Sequence, residues 1–338
     1  MKALIIGVDG QDGYYLQNYL HENGYEVFGV ARKKSAPYHA TAAEDETSYH
    51  QIYADLHDLS SLMNAVTEAE PDEIYNLAGQ SEIPLSWRQP VLTAEVNALG
   101  VMRVLEAIRI IDPGIRFFQA SSSELYGDSR DKICTEETPF KPRNPYGTAK
   151  LFAHNCVENY REKYGIYACC GILFNHESPR RGLTFVTRKI TTSAARIYLG
   201  RQDVLELGNL DAVRDWGSAE DYVRAMWLML QQEKAKDYVI ATGEPHTVRD
   251  FVSTAFRTLG IALAWEGAGF EEVGRDKKSG RTLVRVNPAL YRMPREDRIV
   301  GDPRRARAEL GFRPAHTFES LVEEIVRSDL ALLAGSKA

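Results

Sequence analysis

The chain has 338 residues, 44% of them hydrophobic and 26% charged, the composition of an ordinary soluble globular protein. Its 41 basic and 47 acidic residues leave a net charge of -6, so nothing resembles the basic footprint of a nucleic-acid binder. No stretch approaches the ~20 apolar residues of a membrane span.

The apolar run at residues 3–8 is too short for a signal-peptide core and is broken by Asp9. Cys134, Cys156, Cys169 and Cys170 lack metal-ligand spacing, so no metal is expected. They read as reduced thiols of a cytoplasmic protein.

Short apolar runs alternate with helical patterns from the first residue. Strands are predicted at 2–8, 25–31, 49–54, 73–78, 115–120 and 167–174, and helices at 12–22, 59–69, 98–110 and 144–164. Pro145 suits the first turn of the last helix. Such alternation predicts an α/β fold: a Rossmann-type doubly wound parallel sheet with helices on both faces. Beyond about residue 176 the pattern loosens, with more arginine, glycine and proline and fewer clean strands. The expected division is a dinucleotide-binding domain at 1–175, with returning segments near 212–243, and a smaller C-terminal substrate-binding lobe at 176–338 that closes over the cofactor crevice. Residues 32–47 read as a polar loop, and residues 267–280, rich in glycine and charge, as an exposed excursion.

Gly7-x-x-Gly10-x-x-Gly13 follows a strand and opens a helix, the context in which glycines permit a tight turn and let a pyrophosphate approach a helix N-terminus. Gln11 and Asp12 lie inside this turn. Cofactor choice is read at the end of the second strand, where an acidic residue would favour NAD. Here the chain has Arg32-Lys33-Lys34-Ser35, cations suited to a 2′-phosphate, so NADP is expected. Asp55 and Leu56 after the third strand are placed to meet the adenine, and Leu77 and Ala78 after the fourth to line the crevice.

Tyr146 and Lys150 are one helical turn apart and project from the same face. A lysine charge beside a tyrosine favours the phenolate, which otherwise forms only near pH ~10. Tyr146 is therefore a candidate base for a sugar or alcohol hydroxyl. The run Ser121-Ser122-Ser123-Glu124 ends a strand, where ligands of such folds bind. Ser122 can hydrogen-bond a sugar oxygen, and Glu124 can act as acid or base.

With these motifs the chain resembles extended short-chain dehydrogenases/reductases and, among them, the GDP-mannose 4,6-dehydratase family. The resemblance runs over nearly the whole length. It rests on Glu73-Ile-Tyr-Asn-Leu-Ala78, Ser123-Glu-Leu-Tyr-Gly127, Pro145-Tyr-Gly-x-Ala-Lys150, Gly171-Ile-Leu-Phe-Asn-His-Glu-Ser-Pro-Arg-Arg-Gly182 and Phe185-Val-Thr-Arg-Lys-Ile190, with Leu207-Gly-Asn-Leu-Asp211 and Arg214-Asp-Trp-Gly217 further on. The resemblance implies a lyase with tightly bound NADP and an internal hydride transfer. In that scheme Tyr146 takes the O4 proton while C4 is oxidised. Glu124 then removes the acidified C5 proton, water leaves from C6, and the hydride returns to C6. Ser122 orients O4, and Lys150 holds the nicotinamide ribose and lowers the Tyr146 pKa. The resemblance further implies nucleotide-sugar contacts from Ser81, Asn175, Val186, Lys189, Arg214, Arg292 and Glu296. A homodimer or homotetramer is expected, the dimer forming through the helices at 98–110 and 144–164.

The chain departs from the family pattern in several places, including Ser81-Glu82-Ile83-Pro84 beside the expected sugar and the loop from Ser35, which lacks an arginine usual there. Asp9 stands where the family usually has Thr, so its carboxylate must point away from a pyrophosphate or cap the following helix. Ser122 also replaces a Thr. In Tyr291-Arg-Met-Pro-Arg-Glu-Asp297, Arg295 takes the place of the family's ribose-binding Glu, with Glu296 one residue later. Other readings from the sequence are a dehydratase of another GDP-hexose or GDP-heptose, an epimerase or reductase of the same superfamily, and a non-catalytic NADP sensor.

Overall fold

Along the opening strand, Lys2–Ile6, successive side chains leave on opposite sides. Leu4 and Ile6 join one apolar cluster, while Ala3 and Ile5 join another. The same division holds for Ile74 and Tyr75, for Phe117 and Phe118, and for Cys170 and Cys169. Both faces of the strands are therefore covered, as parallel sheets require. The computed structural model describes residues 1–31, 49–127, 133–291 and 300–335.

Among the described residues seven strands form the main sheet, in the order Tyr238–Ile240, Ala168–Leu173, Arg116–Ala120, Glu73–Asn76, Lys2–Ile6, Glu26–Ala31, His50–Tyr53. Every pairing is parallel. Strand order reverses beside Lys2–Ile6, which pairs with Glu26–Ala31 on one side and Glu73–Asn76 on the other. In doubly wound sheets ligands bind at that switch point, beyond the carboxyl ends of the strands. Leu62, Val66, Val104 and Ile108 from the helices Leu59–Ala69 and Gly100–Ile111 cover one face. Leu16, Leu20, Tyr222 and Met226 from Gln11–Glu22 and Ala219–Leu230 cover the other. The expected doubly wound sheet is thus present, with each expected strand one or two residues shorter than its reading from the sequence.

The chain divides into two compact units. The first comprises Met1–Phe174, Ala219–Thr242 and Gly301–Arg313; the second comprises Asn175–Ser218, Gly243–Val300 and Pro314–Ala338. Within the second, Asn175–Glu177 pairs in parallel with Val213–Ser218, which pairs antiparallel with Pro245–Thr247. A four-stranded sheet runs Leu263–Glu266, Val273–Asp276, Thr282–Val286, Leu205–Leu207. Residues 267–271 and 277–280 are exposed, as expected, but the segment is not loop throughout: Val273–Asp276 between them is paired on both sides. The glycines that mimic a loop there, Gly267, Gly269 and Gly280, all have positive φ and make the flanking turns. Trp216, Phe251, Phe256 and Phe318 centre this unit's core.

Candidate active site

Gly7 turns the chain out of the first strand with φ +97. A Cβ there would lie 2.7 Å from the Ala78 nitrogen and 3.1 Å from the Leu77 carbonyl carbon. The loops leaving the first and fourth strands consequently touch through a bare backbone. A Cβ at Gly13 would lie 2.4 Å from the Gly7 oxygen, so the helix packs hard against the turn. Gly10 is the N-cap of Gln11–Glu22 and has no side chain with which to cap it. The dipole at the helix N-terminus favours an anion, and the bare-backbone cradle fits a dinucleotide pyrophosphate. Gly7→Ala combines a disfavoured φ with a backbone clash. It is expected to lower stability by about 1–3 kcal/mol and to release cofactor, measured by thermal melting and by the nicotinamide retained on purification.

Asp9 does not cap the helix. It accepts a hydrogen bond from the Tyr49 hydroxyl at 3.2 Å, so its charge is drawn toward the second-strand side. Burial, reinforced by Asp9, pushes the Tyr49 phenol up to about 12, which keeps it a donor. The Asp55 carboxylate accepts from the His57 backbone N–H at 2.9 Å. Leu56 is buried against Gly100, and its carbonyl accepts from Arg103 at 3.0 Å. Arg32 and Lys33, the expected 2′-phosphate ligands, lie outside the described residues.

Pro145–Tyr164 carries Tyr146 and Lys150 on its buried face. Lys150 Nζ donates to the Ala120 carbonyl at 2.9 Å and lies 5.8 Å from the Tyr146 ring centroid. Burial pulls the Lys150 ammonium down to about 8, with Cys170 and Asp12 acting the other way. Ser122 caps the short turn Ser123–Leu125 by accepting from the Glu124 N–H at 3.2 Å. Asn144 Nδ2 donates to Glu124 Oε2 at 2.8 Å. A Cβ at Gly147 would lie 2.7 Å from the Glu124 carbonyl oxygen, so the helix's first turn sits directly on the Glu124 backbone. One turn beyond Lys150, His154 Nδ1 meets Ser121 Oγ at 3.3 Å. Ser122, Glu124, Tyr146 and Lys150 are thus held around the junction of one strand end and one helix start, within the first unit.

Sequence reasoning missed Asn97. It sits in a π-helical turn, Glu95–Leu99, and is 1% exposed. Its side chain accepts from the Gln80 N–H at 2.9 Å and donates to the Gln80 carbonyl at 2.8 Å. Asn97 Oδ1 would lie 2.9 Å, and Lys150 Nζ 3.6 Å, from a Cβ on Gly79. Such turns insert one residue into a helix and recur at functional sites. The available signal was a lone amide in the apolar run Val96-Asn97-Ala98-Leu99.

Of the expected sugar-nucleotide residues, Ser81 is exposed in the first unit. In the second unit, Asn175 pairs in register with Trp216, two residues past Arg214, and its Nδ2 donates to the Asp215 carbonyl at 3.5 Å. Val186 and Lys189 lie in the first turn of Val186–Tyr198, whose N-cap, Phe185, offers no capping side chain. Burial pulls the Lys189 ammonium below its ordinary value, opposed by Glu206. A buried pair at 2.5 Å, Arg188 with Asp329, ties this helix to Phe318–Gly335. Arg292, Arg295 and Glu296 lie outside the described residues.

A family model described as GDP-mannose 4,6 dehydratase matches residues 4–325. A GDP-mannose 4,6 dehydratase of Drosophila melanogaster is 47% identical over 98% of this chain and 86% of its own length. That of Homo sapiens is 46% identical over 98% and 92%, and that of Yersinia enterocolitica 46% over 97% and 94%. Among solved structures, RMD from Pseudomonas aeruginosa, complexed with NADPH, superposes with TM-score 0.79 at 23% identity over 98% and 99% of the two chains. A Thermus thermophilus UDP-glucose 4-epimerase with NAD superposes at 0.79, with 24% identity over 97% and 99%. These two likenesses show the shared fold.

Proposed function

The chain belongs to the GDP-mannose 4,6 dehydratase family, and from that premise we propose how its residues divide the reaction. It is a hydro-lyase that converts GDP-mannose into GDP-4-keto-6-deoxy-mannose with NADP. Bound NADP supplies the two-electron acceptor for C4 and the donor for C6. Gly7, Gly10, Gln11, Asp12 and Gly13 hold its pyrophosphate, Arg32 and Lys33 its 2′-phosphate, Asp55, Leu56, Leu77 and Ala78 the remainder of its adenosine half and crevice, and Lys150 its nicotinamide ribose.

Tyr146, as phenolate beside the Lys150 ammonium, accepts the proton from O4 while Ser122 holds that oxygen. With C4 a ketone, the C5–H bond becomes acidic. Glu124 takes that proton, the C5–H electron pair forms the C5–C6 double bond, and the C6–O bond breaks. The departing hydroxyl leaves as water with the proton Glu124 has just taken. Once C6 is reduced, Tyr146 returns its proton to C5 and both residues are restored. In the second unit Asn175, Val186, Lys189, Arg214, Arg292 and Glu296 hold the nucleotide diphosphate and ribose, the cations suiting phosphates, while Ser81 meets the sugar.

The observation that carries this division is the hydrogen bond from Lys150 to the Ala120 carbonyl, immediately before Ser121, with Tyr146 one turn back on the same helix. Incubating the purified protein with GDP-mannose is expected to yield a product lighter by one water, followed by mass spectrometry. Tyr146→Phe is expected to slow its formation by about 10²–10⁴-fold. Turnover of another nucleotide sugar in place of GDP-mannose overturns the substrate, and full activity of Tyr146→Phe overturns the assignment of the O4 base.

Two copies pair through the helices at 98–110 and 144–164, where Leu99 and Phe152 are exposed, and Trp87, Val91 and Leu92 of the preceding short helices add exposed apolar surface. The four buried free thiols suit a reducing, cytoplasmic setting. Among the described residues no helix is long and apolar enough to cross a membrane.

A further inference from the structure

Asn144 stands immediately before the helix that carries Tyr146 and Lys150. Its amide faces two partners at once. The oxygen accepts from the Gly147 backbone N–H at 2.8 Å, which is N-cap work. The nitrogen donates to Glu124 Oε2, also at 2.8 Å. A backbone N–H requires an acceptor and a carboxylate a donor, so both contacts fix the amide in the same orientation. Among the described residues this is the one hydrogen bond that the Glu124 carboxylate makes, and it leaves Oε1 to receive a proton.

We propose that Asn144 is a positioning residue for the elimination step: it locks the Glu124 carboxylate in register with the Tyr146–Lys150 helix. The inference rests on Glu124 being the C5 base. The chemistry of the position supports it. Ser, Asp and Asn cap a helix about equally well, but only the amide separates an acceptor from a donor on two atoms. A serine hydroxyl has one oxygen for both partners. An aspartate keeps the cap and sets a second carboxylate against the first. A cap alone therefore needs no amide at 144, whereas a carboxylate clamp does.

The test compares Asn144→Ser, Asn144→Asp and Glu124→Gln in the full-length enzyme with its own cofactor and GDP-mannose. Both Asn144 variants are expected to melt within a few degrees of the unaltered protein, because the cap survives. Asn144→Ser is expected to lose about 10- to 100-fold in kcat with little change in KM, the cost of misplacing a reacting group, and Asn144→Asp more. Both should accumulate reduced nicotinamide after mixing, seen by its near-ultraviolet absorbance, and should wash less solvent deuterium into C5. A purely structural role predicts no such split, since C4 oxidation and elimination would fall together. Unaltered kcat in Asn144→Ser and Asn144→Asp, with Glu124→Gln inactive, overturns the proposal alone. Full turnover by Glu124→Gln overturns the assignment of the C5 base, and this proposal with it.

Discussion

Glu124→Gln is expected to bind GDP-mannose and oxidise C4 yet to lose product formation by about 10²–10⁴-fold. The substitution keeps shape and volume. Ser122 accepts from the backbone N–H of residue 124, not from its side chain. Asn144 can still donate to the glutamine oxygen where it now donates to Oε2. Gly147 packs on the carbonyl of 124, which is also untouched. What disappears is the ability to accept a proton. Rapid mixing with GDP-mannose should then show a rise in reduced nicotinamide that persists, without the matching loss of water. An epimerase or reductase has no required base at C5 and would not show this block. Turnover at the unaltered rate would remove Glu124 from the chemistry.

Lys150→Met should move activity and stability in opposite directions. The ammonium is 5% exposed, and burial draws its pKa from 10.5 to about 8. At roughly 1.4 kcal/mol for each tenfold change in a proton equilibrium, that burial costs the fold on the order of 3 kcal/mol at neutral pH. Below about pH 8 the lysine is charged in both the folded and unfolded chains, and the penalty is present in full. Between about 8 and 10.5 the unfolded chain holds the additional proton, so this residue's contribution becomes less unfavourable as pH rises. Above 10.5 the penalty is gone. Methionine fills similar space without a charge. The Ala120 carbonyl keeps a donor, because Gln119 Nε2 also reaches it at 2.8 Å. Stripped of cofactor, Lys150→Met should melt several degrees above the equally stripped unaltered protein at pH 7, and the gap should close as pH approaches 10.5. Activity should fall by at least about 10²-fold. A variant that melts lower at pH 7 would refute the account.

Much of the first unit was legible because its strands are buried on both faces and read as continuous apolar runs. The glycine turn was legible because Gly7 and Gly13 occupy positions that admit no Cβ. Tyr146 and Lys150 were legible because one helical turn is a local rule. Interactions across distant sequence were not. Nothing near Asp9 announces that Tyr49 will hold its carboxylate. Asn144 reads as an ordinary cap until the turn at 123–125 brings Glu124 beside it. Asn97 was hidden by its π-helical turn, since helix periodicity assumes no inserted residue. Within 267–280 the exposed ends were legible, but the charges and glycines hid the centre, where only pairing on both sides makes Val273–Asp276 a strand.

Cys169 and Cys170 are adjacent yet face opposite sides of the sheet, each with no exposure to solvent. Burial pushes both thiols well above their ordinary values. Electrophiles and oxidants act on thiolate, so the interior of the sheet shields these sulfurs twice over, by access and by protonation state. Any alkylation found at this dipeptide would therefore record that the central strands had come apart.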